Sequence, residues 1–141
     1  MNSPLRFERY FYSRIVCIAN PEFDPNAEER SSIVQISNET RIMRHAENER
    51  RWQVILDLKT PPAEENVGPY QLDIQVVGFF EVPPDSTQDP EKLVGITGSS
   101  MLHSAVRELV LGLSSRGPWP AVFLPAISYQ SQPDEVSPKT S

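Results

Sequence analysis

The chain has 141 residues and a formal net charge of -6 at pH 7, and 38% of its residues are hydrophobic. This length suits a single domain, whereas the negative charge disfavours the phosphate backbone of a nucleic acid as a partner. The low apolar content and the 14 prolines indicate that a self-sufficient monomer is not the default state.

Three features of the sequence predict a cytoplasmic protein. Cys17 is the single cysteine, so the chain cannot form an internal disulfide. No apolar run approaches the ~20 residues of a membrane span, and residues 1–13 lack the uninterrupted apolar core of a signal peptide. We expect residues 1–8 to form an N-terminal arm, residues 9–129 one domain and residues 130–141 a disordered polar tail.

Aromatic, β-branched and alternating apolar residues predict three strands in the first part of the chain. Residues 9–18 are rich in aromatic and β-branched side chains, and residues 32–40 alternate between apolar and polar side chains. Residues 52–59 also alternate, with one strongly apolar face. The charge-dense residues 41–51 are predicted to be the hairpin connection between the second and third strands.

A fourth and longest strand is predicted from Tyr70 to Val82, and its two faces differ. Every second residue on one face is apolar, which predicts that this face contacts the core. Val77, Phe79 and Glu81 point to the other face, where polar residues give way to an apolar spot. Exposed apolar residues of this kind are typical of partner surfaces, although coverage by a loop or a subunit is an equally simple interpretation.

One helical period follows, from Met101 to about Arg116. We expect Ser99 or Ser100 to cap its first turn, Arg116 to lie at the negative end of its dipole, and Gly117 to end it in a left-handed conformation. Its apolar stripe is predicted to form the core or an oligomer contact and includes Leu102, Val106, Leu109 and Leu113.

The segments on either side of the helix are predicted to be irregular. Residues 83–98 are rich in proline and glycine, and their apolar run, residues 93–96, suits either a short strand or a segment packed on the core. Residues 121–129 are apolar but contain Pro125, so we expect them to lie extended over the sheet or the helix.

These elements predict an α+β fold, in which a four-stranded antiparallel sheet is covered on one face by one main helix. A helix of ~16 residues is ~24 Å long and ~10 Å wide, so it leaves part of that face uncovered. We therefore expect a homo-oligomer.

The sequence contains no recognisable catalytic or cofactor site. His45 and His103 have no cysteine or second histidine at the spacing of metal ligands, and Arg107 and Glu108 diverge by about 100° as neighbours on a helix. No nucleotide-binding or hydrolase motif is present. We expect a non-enzymatic protein without a metal or a cofactor.

Several stretches together resemble the SecB family of export chaperones. The most specific is a turn of the form Ser-Arg-Gly-x-aromatic-Pro, which comes between a helix with an Arg-Glu pair and a segment ending near an aromatic residue. In this chain the helix and turn residues are Arg107, Glu108, Ser115, Arg116, Gly117, Trp119 and Pro120. Residues 12–21 and 79–82 are similar to the first and fourth strands of that family.

The resemblance implies a homotetramer, a dimer of dimers, that holds unfolded or extended polypeptides without ATP. Its implied partners are unfolded clients, the SecA motor or one dedicated partner such as an antitoxin. Val77, Phe79 and Glu81 are the implied binding residues, with Glu81 at the acidic spot for SecA. The alternative is an interaction subunit that keeps the SecB-like fold without chaperone activity.

The chain also differs from the family at positions that bear on these partners. Ile15 and Ala19 stand on the first strand where members that engage SecA have acidic residues. A polar tail follows Tyr129 where the family has a second helix. These differences favour a specialised client over general export.

Overall fold

The structure is a computed structural model that describes residues 5–26 and 36–125. Its four strands are β1 (Arg6–Ala19), β2 (Ser37–Arg44), β3 (Arg51–Lys59) and β4 (Tyr70–Glu81), and a short 3-10 turn, Ala63–Glu65, precedes β4. The strands pair antiparallel in the order β1-β4-β3-β2. The predicted α+β fold is thereby confirmed.

The helical region is longer than the sequence predicted. It begins as α1 (Pro90–Leu93), continues through a π-helical turn (Val94–Gly98) and ends as α2 (Ser99–Ser114). The predicted cap at Ser99 or Ser100 is wrong, because Ser99 itself has helical backbone angles. The extended Asp89 and the proline at the first helical position start the helix instead.

Two glycines explain why a helix forms in a segment that looks irregular. A β-carbon on Gly95 would lie 2.9 Å from the Ile42 side chain, and one on Gly98 would lie 3.3 Å from Phe80 and Val54. The glycines therefore let the π-helical turn approach the sheet closely, which offsets their low helix propensity.

The first two strands differ from their predicted bounds. β1 begins at Arg6, three residues before the predicted strand, and β2 (Ser37–Arg44) continues four residues beyond the predicted end at residue 40. Much of the predicted second strand lies outside the described residues. Residues 41–44, with a charge at Arg41 and at Arg44, were expected in the connection but pair with β3, and the connection shrinks to residues 45–50. Charge is tolerated there because β2 is an edge strand.

The core lies between the sheet and the helical region. We call the sheet face that contacts the helices the inner face. Phe80 is fully buried on it, and Gly78 beside it leaves room for Leu102 of α2, since a β-carbon on Gly78 would lie 2.7 Å from the leucine. The buried inner-face residues of β3 and β4 are Val54, Leu56, Leu58, Tyr70, Leu72, Ile74, Val76 and Phe80.

A hydrogen-bonded corner joins the end of α2 to the start of β4. The Tyr70 hydroxyl donates to the Ser114 carbonyl at 3.1 Å and accepts from the Trp119 amide at 3.1 Å. A β-carbon on Gly117 would overlap the Tyr70 hydroxyl and lie 2.8 Å from its ring. The predicted left-handed glycine is wrong, because no glycine in the described ranges has a positive φ. Gly117 is needed for this close approach instead.

The segment after this corner, residues 121–125, forms neither helix nor strand and runs along α2, where its described part was expected to lie over the sheet or the helix. Val122 and Leu124 are buried against the core. Arg107 donates to the Leu124 carbonyl at 3.1 Å, and His103 donates from Nε2 to the Pro125 carbonyl at 2.9 Å. Burial, together with the nearby Arg107, lowers the pKa of His103, although its hydrogen bond to Pro125 opposes the shift.

Candidate peptide-binding surface

The face of the sheet opposite the helices, here called the outer face, contains the predicted binding residues. Val77, Phe79 and Glu81 of β4 alternate with the buried inner-face residues and point outward together, as the side-chain alternation predicted. Their placement on one face is confirmed, whereas a binding role for them stays a prediction.

Val77 is not exposed, which corrects the sequence expectation. Phe11 of β1 and Ile55 of β3 flank it directly across the sheet, and only 5% of its surface remains accessible. Both neighbours are far from Val77 in sequence, so the pattern within β4 alone did not reveal this cover.

Phe79 is half-buried under an aromatic and cationic cover. Its ring centroid lies 6.1 Å from that of Phe11, and the Arg9 guanidinium carbon lies 4.8 Å above its ring. The Arg9 guanidinium carbon also lies 5.5 Å from the centroid of the Phe11 ring, so the same cation contacts both rings. Such cation–π contacts contribute about 0.5–1 kcal/mol each at exposed sites.

The apolar residues form a band across the sheet, which we call the outer patch. Phe11 keeps 39% of its surface exposed and Met43 keeps 45%, so the band is accessible at its ends on β1 and β2, whereas Val77 and Ile55 between them are buried. The outer patch consists of Phe11, Met43, Ile55, Val77 and Phe79. Phe11 and Met43 were not predicted as surface residues from the sequence, and Met43 lies in the segment that was predicted to be a connection.

Ion pairs border the outer patch at one end of the sheet. Arg6 lies 3.3 Å from the Glu81 carboxylate, and Arg51 lies 2.6 Å from that of Glu8. The hydrogen bond to Glu8 raises the pKa of the Arg51 guanidinium. Glu81, the predicted acidic docking residue, is therefore already paired with a cation.

A second network borders the patch on its other side. Arg14 bridges the Asp73 carboxylate at 2.9 Å and that of Asp57 at 2.8 Å. The hydrogen bond to Asp73 is the main cause of the raised pKa of Arg14. Gln75 donates to Asp57 at 3.1 Å, and Arg41 lies 3.8 Å from the same carboxylate. These contacts occupy the carboxylates nearest the patch.

The sheet also offers open edges and an incompletely covered inner face. β1 and β2 are its two edge strands, so each has a row of backbone groups facing away from the sheet. Tyr10 and Ile15 remain exposed on the inner side of β1, and Tyr12 between them is half-buried. Burial, reinforced by the neighbouring Tyr10, raises the pKa of Tyr12 to about 12.

The residues of the predicted turn motif lie around the corner described above. Arg116 donates to the Gly112 carbonyl at 2.7 Å, and Trp119 donates to the Asn20 carbonyl at 3.0 Å. Ser115 and Pro120 are exposed, and Arg107 fixes residues 121–125. These contacts join the helix end to the sheet, so they give the motif a structural explanation.

The helix residues predicted for the core or an oligomer contact fall into two groups. Leu102 and Val106 are buried, whereas Leu109 and Leu113 remain half-exposed. Glu108 is exposed and, with the largely exposed Phe123, lines a shallow depression beside α2.

Two features are absent from residues 5–26 and 36–125. No group of three His, Cys, Asp or Glu residues there is arranged to hold a metal ion. No helix in that part of the chain has the length and apolarity needed to cross a membrane.

Comparison with solved structures identifies the fold. The chain is similar to a Mycobacterium tuberculosis SecB-like chaperone in complex with a ChAD peptide from an antitoxin, with a TM-score of 0.62 and 14% sequence identity. The match covers 89% of this chain and 91% of that chain. The predicted SecB-like fold is thereby confirmed. No family model matches the chain, and no curated protein matches it.

Proposed function

We propose that this protein is an ATP-independent molecular chaperone, a holdase, that binds extended or unfolded polypeptides in the cytoplasm. The observation that carries the proposal is the fold shared with a SecB-like chaperone whose structure contains an antitoxin peptide. The outer patch supports it, because an accessible apolar band gives a client apolar side chains to contact.

The shape of the sheet explains how such binding needs neither catalysis nor a cofactor. In an extended client that runs parallel to the strands, every second side chain points to the sheet. The spacing of these side chains matches the spacing of the outward-facing residues along each strand. The open edges of β1 and β2 add main-chain hydrogen bonds that do not depend on client sequence. Apolar contacts and main-chain pairing together suit a client that is not yet folded.

We propose that the working unit is a homotetramer, built as a dimer of dimers. Tyr10 and Ile15 on β1, together with Leu109 and Leu113 on α2, leave apolar surface on the helix side of the sheet. A second copy of the chain would cover this surface while leaving the outer patch free. Light scattering should then give a mass of four times 15.9 kDa, and a monomer at micromolar concentration would contradict this assembly.

Of the two implied partners, we propose that the protein binds one dedicated client, such as an antitoxin, in preference to SecA. Arg6 pairs with Glu81, the one acidic residue expected to meet SecA, and Ile15 and Ala19 supply no charge on β1. A pull-down with SecA and with the antitoxin of a neighbouring gene pair would separate these partners. Retention of SecA alone would reverse our choice.

One assay distinguishes the proposed holdase from the alternative, an interaction subunit without chaperone activity. A urea-unfolded model protein is diluted into buffer with increasing amounts of this protein and without nucleotide, and light scattering reports aggregation. We expect suppression at a stoichiometric ratio. Unchanged aggregation in the presence of correctly folded protein would leave the interaction subunit as the better account.

A further inference from the structure

Arg9 is placed differently from the other cations of the outer face that border the patch. Its guanidinium group lies over the rings of Phe79 and Phe11, at 4.8 Å and 5.5 Å from their centroids. The residue is exposed, and within the described part of the chain no carboxylate forms an ion pair with it. The aromatic rings thus hold a cation whose charge remains available to a ligand.

The carboxylates around the patch are already neutralised. Glu81 and Glu8 pair with Arg6 and Arg51, respectively, at the end of the sheet where Arg9 lies. The outer face as a whole carries six cations against five carboxylates, although the chain has a net charge of -6. They are Arg6, Arg9, Arg14, Arg41, Arg51 and Lys59 against Glu8, Glu39, Asp57, Asp73 and Glu81.

The geometry also sets where a ligand charge would lie. Arg9 is paired across the sheet with Phe79, one row away from the pair of Phe11 and Val77. Arg41 lies at the opposite end of the row that contains Val77 and Ile55. An extended segment that crosses the sheet from β1 to β2 would therefore contact apolar residues at its centre and a cation near each end. Glu39, which forms no ion pair within the described residues, lies one row farther out, beside Asp57.

We propose that the outer patch binds an extended polypeptide segment in which a carboxylate and an apolar side chain lie two residues apart and so point to the same side of the segment. The apolar side chain packs on Phe11 and Phe79, and the carboxylate pairs with Arg9 above the rings. This inference rests on the proposed function and adds to it the charge of the preferred segment. A basic segment of the same apolarity would instead meet Arg9 as a like charge.

The test compares two synthetic peptides that share an extended Leu-Val-Phe centre and carry either Asp or Lys on both sides of it. Their affinities for the full-length protein are measured by fluorescence anisotropy at low salt. An ion pair at an exposed site predicts a preference of about three- to tenfold for the acidic peptide, and this preference should shrink at high salt.

Variants assign the preference to Arg9. Arg9→Glu should reverse it, and Arg9→Gln should remove most of it, because Arg41 near the other end already lies 3.8 Å from Asp57. Arg44→Glu makes the same change in net charge on the inner face of β2, where Arg44 pairs with Trp52, and should leave the preference unchanged. Thermal melts confirm that each variant is folded.

The outcomes separate this inference from the proposed function. If both peptides bind the wild type equally well, the charge preference is wrong while peptide binding stands. A preference for the Lys peptide, or an equal response of Arg9→Glu and Arg44→Glu, also overturns the role of Arg9. If neither peptide binds, both the inference and the outer patch as a client site are contradicted.

Discussion

The two faces of β4 show how one strand can serve stability on one side and recognition on the other. Phe80 on the inner face is fully buried between the sheet and the helical region, whereas its neighbour Phe79 on the outer face is half-buried beneath Arg9 and Phe11. Packing across layers therefore fixes the inner face. Ion pairs and ring contacts between neighbouring strands organise the outer face and leave it accessible.

The largest expected effect comes from truncating the inner aromatic residue. Phe80→Ala removes a fully buried ring that also stacks on Phe7 at 5.0 Å, so the free energy of unfolding should fall by about 3–5 kcal/mol. Urea denaturation monitored by circular dichroism measures this change. A loss below 1 kcal/mol would show that the assignment of the two faces is wrong.

A glycine pair tests the corner that closes the inner side. Gly117→Ala would place a methyl group against Tyr70 and should destabilise the fold by about 1–3 kcal/mol. Gly112→Ala is its control, because the nearest atom in that position is the Arg116 guanidinium at 3.8 Å. This helical position should gain about 0.5–1 kcal/mol. Equal effects in thermal melts would contradict the close contact.

Acidification should also weaken the helix side. The pKa of His103 is lowered in the folded protein, chiefly by burial, so its stabilising neutral form is fully present above the unfolded pKa of about 6.5 and is lost as pH falls through the folded pKa. We expect wild-type protein to lose more stability between pH 7.5 and pH 5 than His103→Gln. The comparison cancels the contribution of the carboxylates, and parallel losses would assign the acid sensitivity to them alone.

The smallest expected change in stability belongs to Phe79. Its ring is half-buried and lies under the exposed side chain of Arg9. Phe79→Ala should therefore change the free energy of unfolding by no more than about 1 kcal/mol. Urea denaturation beside Phe80→Ala measures this difference. A larger loss for Phe79 than for Phe80 would show that the strand register is wrong by one residue.

The central strands could be predicted from the sequence because residues that face the core alternate with residues that face away from it. β3 and β4 alternate with a period of two, and the buried residues of β4 were assigned to the correct face. The edge strand β2 was predicted to end too early, at residue 40, because Arg41 and Arg44 flank Ile42 and Met43 and break the alternating pattern of a half-buried strand. Such a strand is held mainly by its partner, which local sequence does not reveal.

The helical start and the cover of the outer patch depend on contacts between distant residues. Gly95 and Gly98 suggested an irregular segment, yet they fit a helix pressed against Ile42 and Phe80. Val77 was expected to be exposed, and the cover that buries it comes from other strands. The resemblance to a known family identified the fold, whereas the aromatic and cationic part of the candidate site became visible only in three dimensions.

Client affinity after removal of one outer aromatic side chain tests the central claim most directly. Phe79→Ala is compared with Ile18→Ala, which truncates an exposed apolar residue of the same face far from the outer patch. Both variants are titrated by calorimetry with reduced, carboxymethylated lactalbumin as a permanently unfolded client. The account predicts that Phe79→Ala weakens binding by about 1–3 kcal/mol and that Ile18→Ala leaves it nearly unchanged. Wild-type affinity in a folded Phe79→Ala protein would contradict the outer face as the client-binding surface.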